Sequence, residues 1–281
     1  IHIDIDPWEI GKNYPVEHAI VGDAKLVLQQ LLGEVKDVAK AVIYRESAYF
    51  GEIHSAKEKW EREKAAFADD SLPMTTSRLL AEMRKVLPRD AIVVGAAGHA
   101  QATLFQEFPI YEPRTHLSTG AFSTMGWCVP AAIGAKLARP DRVVVAISGD
   151  GDFLMTCQEL ATAAQYQVPV IFCVLNNNGW ISIRDLQLHN YGADRAYATE
   201  FLDGHGNELG INYAGIASSF GIRSERVETP DQIAAAIARA RGADGPYLLE
   251  IKTAMEYPRS EGAVAGWADF PVPEYIIAKT V

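Results

Sequence analysis

Asp150 and Asn177 are the residues whose chemistry is easiest to name. Asp150 stands in the stretch Gly149-Asp150-Gly151-Asp152-Phe153 and Asn177 in Asn176-Asn177-Asn178-Gly179-Trp180, with twenty-four residues between Gly151 and Asn176. A carboxylate, an amide oxygen and a nearby backbone carbonyl are hard oxygen donors, suited to Mg²⁺ or Ca²⁺ and not to zinc. Magnesium commonly leaves coordination positions for phosphate oxygens. The glycines beside Asp150 let backbone N–H groups approach a diphosphate, and a helix opening near Phe153 adds the favourable end of its dipole. Residue types alone therefore point to a Mg²⁺-diphosphate site. Glycine, Asp and Asn are also ordinary turn residues, so the types do not by themselves exclude two unrelated surface turns.

The elements that must carry these turns are legible as a pattern. Beyond Pro73, "TSRLLAEMRKVL" reads as an amphipathic helix, "AIVVG" as a short apolar strand and "GWCVPAAIGAKLA" as a helix of small residues. "RVVVAIS" is a strand, "FLMTCQELATAAQY" a helix and "VPVIFCVL" a strand. A helix around Tyr213–Phe220, a strand near Ile222–Val227, the helix "PDQIAAAIARAR" and the strand "YLLEI" complete the series. Short continuous apolar strands alternating with helices imply a doubly wound α/β fold, a mostly parallel sheet with helices on both faces. Ligands of such sheets bind beyond the carboxyl ends of the strands. Both turns fall there, and the helix and strand between them can return the chain to the same edge, so Asp150 and Asn177 are expected to meet across neighbouring strand ends.

Composition narrows the partners. The 281 residues carry a formal charge of −10, the wrong sign for nucleic acid or an anionic membrane surface. No apolar run reaches the roughly 20 residues of a membrane span, and no signal peptide is expected. The three cysteines, Cys128, Cys157 and Cys173, are scattered in apolar surroundings without a CxxC pair, which predicts core residues in a reduced compartment. The cytoplasm is the expected location. The chain opens without Met at "IHIDID", which alternates like a strand already under way, so it is expected to begin mid-protein or at the N-terminus of a processed or split subunit. "AKLVLQQLL" reads as a helix, and the charged stretch Glu46 to Asp70, with "EKWEREK", as a solvated helix or a linker.

With these residues in view, the sequence resembles the thiamine-diphosphate-dependent enzymes, whose shared motif is GDG, about two dozen residues, then NN. It is most similar to the acetolactate synthase-like branch. The likeness runs through "STGAFSTMGWCVPAAIGAKLARPDRVVVAISGDGDF", "QELATAAQYQVPVIFCVLNNNGW" and the opening "IHIDIDPWEIGKN". It implies a division into the end of a central domain (1–35), a linker (36–73), a diphosphate-binding domain (74–260) and a tail (261–281). It also implies that Asp150 and Asn177 bind Mg²⁺ through their side chains and Gly179 through its carbonyl. Gly149 belongs to the same motif, and Gly151 and Asp152 would meet the diphosphate through backbone N–H groups, with the Asp152 carboxylate turned away from phosphate. Gly98 and His99 match the diphosphate-contacting turn. Ser123 and Met125 would face the aminopyrimidine with their carbonyls, and the Met125 side chain would hold the cofactor bent.

Departures from the family pattern concern the substrate. Ser123 replaces an expected glycine, Ile181 another, and Leu186 stands where acetolactate synthases place tryptophan. Ile181 and Leu186 are therefore expected beside the substrate approach. His189 and His205 are expected in solvent-exposed loops, and the tail "GWADFPVPEY" reads either as a strap over the site or as a surface-packed terminus. The glutamate that activates the cofactor in this family lies on a pyrimidine-binding domain that no segment here resembles, so the resemblance implies a second chain or segment carrying it, in a homodimer, heteromer or tetramer. The implied reaction makes or breaks a C–C bond next to a carbonyl of a small 2-oxo acid or 2-hydroxyacyl compound. FAD is left undetermined. The alternatives are a non-catalytic cofactor-holding or regulatory subunit, and a flavin or nicotinamide oxidoreductase on a similar sheet; against the latter, no strand is followed by GxGxxG with a downstream acid.

Overall fold

The opening alternation Ile-His-Ile-Asp forms strand β1 (His2–Asp4), which pairs in parallel with β2 (Ala19–Val21). Helix α1 (Ala24–Val35) follows, opened by Asp23, whose carboxylate accepts from the Leu26 N–H at 3.0 Å. The computed structural model describes residues 1–36, 44–191, 196–255, 264–265 and 270–271. It divides into two units, Ile1–Lys59 and Trp60–Val281. The boundary falls within α2 (Ala48–Phe67), the helical outcome of the charged stretch, which carries the pairs His54–Glu58 and Glu61–Lys64 at helical spacing.

In the second unit, helix α3 (Thr76–Val86) is capped by the Thr75 hydroxyl, which accepts from the Arg78 N–H. It leads to β3 (Ile92–Gly95), α4 (His99–Glu107) and the short β4 (His116–Leu117). Then come α5 (Cys128–Ala138), β5 (Val144–Gly149), α6 (Asp150–Leu154), α7 (Leu160–Gln165) and β6 (Ile171–Asn176). Helix α8 (Ile181–Tyr191), α9 (Tyr213–Ser219), β7 (Arg223–Val227), α10 (Pro230–Arg241) and β8 (Tyr247–Lys252) complete the main body. Pro230 at the first turn of α10 and the reciprocal Thr229–Gln232 capping box explain why that helix matches its sequence pattern end to end. The pairs β9 (Val264–Ala265) and β10 (Phe270–Pro271) run antiparallel; the rest of the tail lies outside the described residues.

The six strands of the main sheet are all parallel, in the order β4-β3-β5-β6-β8-β7. Side-chain alternation sorts them onto two faces. Val93, Val145, Ile147, Cys173, Leu175 and Leu249 pack under α3, α4 and α10, while Ile92, Val94, Ala146, Phe172, Val174 and Leu248 pack under α5, α6, α7 and α9. This is the doubly wound fold with helices on both faces. From β3 the chain steps outward to β4 and then returns to β5 on the other side, so the strand order reverses between β3 and β5. A crevice opens at such a reversal, beyond the carboxyl ends of the strands.

Four local expectations need correction. The stretch "FLMTCQELATAAQY" is not one helix: α6 ends at Leu154, a 3₁₀ turn covers Cys157–Glu159 and α7 starts at Leu160. Thr156 breaks it, donating its hydroxyl to the Gly126 carbonyl at 2.8 Å. The first of these helices begins at Asp150, earlier than Phe153. His189 lies in α8 and not in a loop. Cys128 and Cys173 are buried as core residues, but Cys157 is only half-buried. Among the described residues no helix is long and apolar enough to cross a membrane.

Candidate functional site

Three turns converge at the reversal. After β3 come Ala96 to Gly98, after β5 comes Gly149 to Asp152, and after β6 comes Asn177 to Gly179; because β3, β5 and β6 are adjacent and parallel, their ends share one edge. They enclose a cavity of about 320 Å³. Gly98 and His99 line it from the first turn and Gly149, Gly151 and Asp152 from the second; Asn177 and Gly179 contribute from the third. Ser123 and Met125, from the segment before α5, complete the group, and Ile181 and Leu186 of α8 stand on the same wall. His205 is exposed in the loop before α9, away from this wall.

Asp150 alone among the residues expected here is not on the wall. It lies beneath, fully buried. Its Oδ1 accepts the Gly151 N–H at 2.8 Å and its Oδ2 the Gly179 N–H at 3.1 Å. Burial pushes the carboxyl up to about 7, while the N–H groups of Gly151, Gly179, Asn178 and Asn177 pull the other way. The Asp150 carboxylate is a hard oxygen donor, and the turn whose Gly179 N–H it accepts carries an amide side chain at Asn177 and a carbonyl at Gly179, donor types that a hard divalent cation takes. Among the described residues there is no group of three or more His, Cys, Asp or Glu that could hold a metal ion. Asp152 has a different role: its carboxylate accepts from the Ser148 hydroxyl at 3.0 Å and from the Ala97 N–H at 3.3 Å, tying the β5 turn to the β3 turn.

Close approach requires glycine at Gly98 and Gly151, as it does at Gly179. Gly98, at φ 72°, caps α4, and a Cβ there would come within 2.6 Å of Ser182 Oγ. At Gly151 a Cβ would collide with the Trp180 indole, which covers that turn and packs edge-on against Phe201, centroids 4.7 Å apart. The third turn is clamped from outside: Trp180 N–H donates to the Thr199 carbonyl at 2.8 Å and Phe201 N–H to the Asn178 carbonyl at 2.9 Å.

Ser123 occupies a left-handed conformation, φ 46° and ψ 50°, consistent with a position where glycine is the ordinary choice. Its side chain is not idle. The hydroxyl donates to Gln101 Oε1 at 2.7 Å, and Gln101 Nε2 donates to Thr119 Oγ1 at 3.2 Å. Ser182, Trp180 and Asp185 were not singled out from sequence. The signal for the first and last is α8 itself, on which positions 182, 185 and 186 share a face; the stretch "ISIRDLQLHNY" shows too little apolar periodicity to announce that helix.

A parallel sheet with a glycine-lined cavity at its switch point is the architecture of a cofactor-binding domain. The sequence agrees with a family model: residues 96–251 match the thiamine pyrophosphate enzyme C-terminal TPP binding domain, and residues 1–31 match the central domain of the same enzymes. The chain belongs to the thiamine pyrophosphate-dependent enzymes, in the acetolactate synthase-like family. It is 34% identical over 268 residues to a probable acetolactate synthase large subunit of Methanococcus aeolicus, covering 89% of this chain and 42% of that protein. To the chloroplastic acetolactate synthase 2 of Nicotiana tabacum it is 35% identical over 253 residues, covering 37% of that protein. The chain thus spans about two fifths of the length of these relatives. Among solved structures, a thiamine diphosphate-dependent 4-hydroxybenzoylformate decarboxylase of Rhodococcus jostii RHA1 superposes with a TM-score of 0.67 at 24% identity, over 92% of this chain and 44% of that one, which speaks to the fold.

Proposed function

We propose that this chain is the Mg²⁺- and diphosphate-holding part of a thiamine-diphosphate-dependent enzyme that makes or breaks a C–C bond next to the carbonyl of a 2-oxo acid or 2-hydroxyacyl compound. The observation that carries the reading is the convergence of three turns on one cavity above a buried carboxylate. Asp150 and Asn177 hold Mg²⁺ through their side chains and Gly179 through its carbonyl. Gly98, His99 and Asp152 present N–H groups to the diphosphate, Gly151, whose own N–H is taken by Asp150 Oδ1, leaves room for it to approach, Gly149 gives the β5 turn its reach, and Ser123 and Met125 face the aminopyrimidine. When bound, thiamine diphosphate supplies the electron sink for the bond that is made or broken. The chain's residues orient it and exclude water: Trp180 roofs the Gly151 turn, and Ile181 and Leu186 form the apolar wall on the substrate side.

The activating glutamate belongs to a pyrimidine-binding domain on another chain or segment, in a dimer or a dimer of dimers, and the setting is cytoplasmic. Residues 1–35 then close a central domain, 36–73 link it to the diphosphate-binding domain of residues 74–260, and 261–281 form a tail. Calorimetric titration of the full-length protein with thiamine diphosphate, in Mg²⁺ and in EDTA, tests the reading. Binding that requires Mg²⁺ and is abolished in Asp150→Ala supports it; equal affinity in both conditions, or an unaltered variant, overturns it.

A further inference from the structure

Asn176 is the last residue of β6, directly before the third turn, and it is buried. Its backbone carbonyl accepts the Thr253 N–H at 3.1 Å, and its side-chain Nδ2 donates to Glu250 Oε1 at 2.8 Å. Glu250 is on β8, only 1% exposed, and pairs with Val174 in the parallel register, so it stands on the sheet face that α9 covers. Its other oxygen is also taken. Oε2 accepts the Ala214 N–H at 3.0 Å, in the first turn of α9, where a helix leaves its N–H groups without partners along its own backbone. Arg226 Nε lies 3.8 Å from Oε1, on a side chain half exposed to solvent. A buried carboxylate thus joins the end of β6 to the start of α9.

We propose that Glu250 is a positioning residue for the third turn: it fixes the point at which the chain leaves β6, and with it the place of the Asn177 amide and the Gly179 carbonyl. The inference rests on the reading above that those two groups hold Mg²⁺. The turn is held at both ends, Asn176 by Glu250 and the Gly179 N–H by Asp150 Oδ2, so Asn177 lies between two fixed points. The second bond of Glu250 acts on the same turn from outside. Thr199 and Phe201 clamp Trp180 and Asn178, and the chain that leaves this clamp runs on to α9, where Ala214 is anchored on the same carboxylate. A carboxylate offers acceptors on both oxygens, whereas an amide would set a donor against one of these two donors. Burying a charge gives little stability beyond what a well-packed apolar side chain would give, so what Glu250 contributes here is placement. Placement matters more to Mg²⁺, which requires near-octahedral oxygens at about 2.0–2.1 Å, than to Ca²⁺, which accepts a looser shell at about 2.3–2.6 Å.

The test is a double-mutant cycle on the full-length protein, reading calorimetrically the Mg²⁺ or Ca²⁺ concentration that gives half-maximal thiamine diphosphate binding, for wild type, Asn176→Ala, Glu250→Met and the pair. Asn176→Ala cuts the bond to the turn and leaves α9 anchored; Glu250→Met cuts both bonds with a side chain of similar length. Each single change is expected to raise the Mg²⁺ value about tenfold, the scale of one charge-assisted hydrogen bond, and the double change no further than Glu250→Met. The Ca²⁺ value should move by less than about threefold, because the looser shell tolerates a displaced turn. A carboxylate that only holds the fold together would lower the urea midpoint and weaken both ions alike. Equal losses in Mg²⁺ and Ca²⁺, an unchanged Mg²⁺ value in Asn176→Ala, or losses that simply add each overturn the positioning role alone, and Asn176→Ala decides by itself if Glu250→Met does not fold. Wild type that binds thiamine diphosphate equally well in Mg²⁺ and in EDTA overturns the metal reading beneath it as well.

Discussion

Gly179 donates its N–H to Asp150 Oδ2 at 3.1 Å, joining two turns that are 29 residues apart in sequence. The protein's own hydrogen bond thus ties the carboxylate to the third turn, and the ion-binding role proposed above would need little reorganisation of residues held in this way.

Gly179→Ala should undo that arrangement. The residue sits at φ 157°, and an added Cβ would run into the Thr199 carbonyl, backbone that is itself tied to Trp180. The expected cost is about 1–3 kcal/mol of stability by overpacking, with loss of Mg²⁺-dependent cofactor binding. Urea denaturation and a Mg²⁺ titration check both parts; a variant as stable and as tightly binding as wild type would show that the turn has slack.

At Ser123, two substitutions should separate strain from hydrogen bonding. Ser123→Gly relieves the left-handed backbone and loses the bond to Gln101, effects of about 1 kcal/mol each that nearly cancel. Ser123→Ala keeps the strain and loses the bond, so it should be about 1–2 kcal/mol less stable than wild type. The order of the three melting temperatures is the measurement, and alanine ranking above glycine would contradict it.

Glu107 gives a dependence on pH. Burial raises its carboxyl from 4.5 to about 6, against the Ser77 hydroxyl, which donates to it at 2.9 Å, and the charge of Lys64. The folded state holds the proton more tightly than the unfolded chain, so the contribution to stability is full below 4.5 and is lost as pH rises through about 6. Glu107→Gln should match wild type near pH 4 and exceed it at pH 8 in denaturant midpoint. Parallel pH profiles for the two proteins would refute the shift.

Leu186→Trp should change substrate choice more than cofactor grip. The side chain faces the cavity from α8, outside the Asp150–Gly179 turns. A bulkier wall is expected to alter the ratio of kcat/KM between a short and a branched 2-oxo acid by about tenfold or more. Thiamine diphosphate affinity should move much less; the opposite pattern would mean that α8 borders the diphosphate.

Much of this was legible before any coordinates. The apolar strands and α10 announce themselves because burial on both faces leaves continuous runs, and Pro230 and Thr229 mark a helix start chemically. The motif turns were legible because their spacing puts both at the ends of apolar strands and matches a family motif; the residue types alone also suit ordinary surface turns. What escaped was set by tertiary contact. Helix α8 has weak periodicity, since one face meets the cavity and α4 and not a continuous core, so Asp185, whose Oδ2 lies 3.3 Å from His99 Nε2, could not be placed from spacing. Thr156 divides an apparently uniform helix by bonding to Gly126, thirty residues away. The Ser123–Gln101 bond turns an expected neutral replacement into a tether, which only the left-handed backbone reveals.

The Trp180 indole, laid over Gly151 and edged against Phe201, also makes the site visible to light. Among the described tryptophans it is the one that lines the cavity, so a diphosphate held there as proposed would change the polarity around its ring directly. Intrinsic emission should therefore shift on titration with cofactor and Mg²⁺, and Trp180→Phe should silence that response while the remaining tryptophans keep their spectrum. The residue that roofs the turn doubles as a fluorescent gauge of its filling, read without any label.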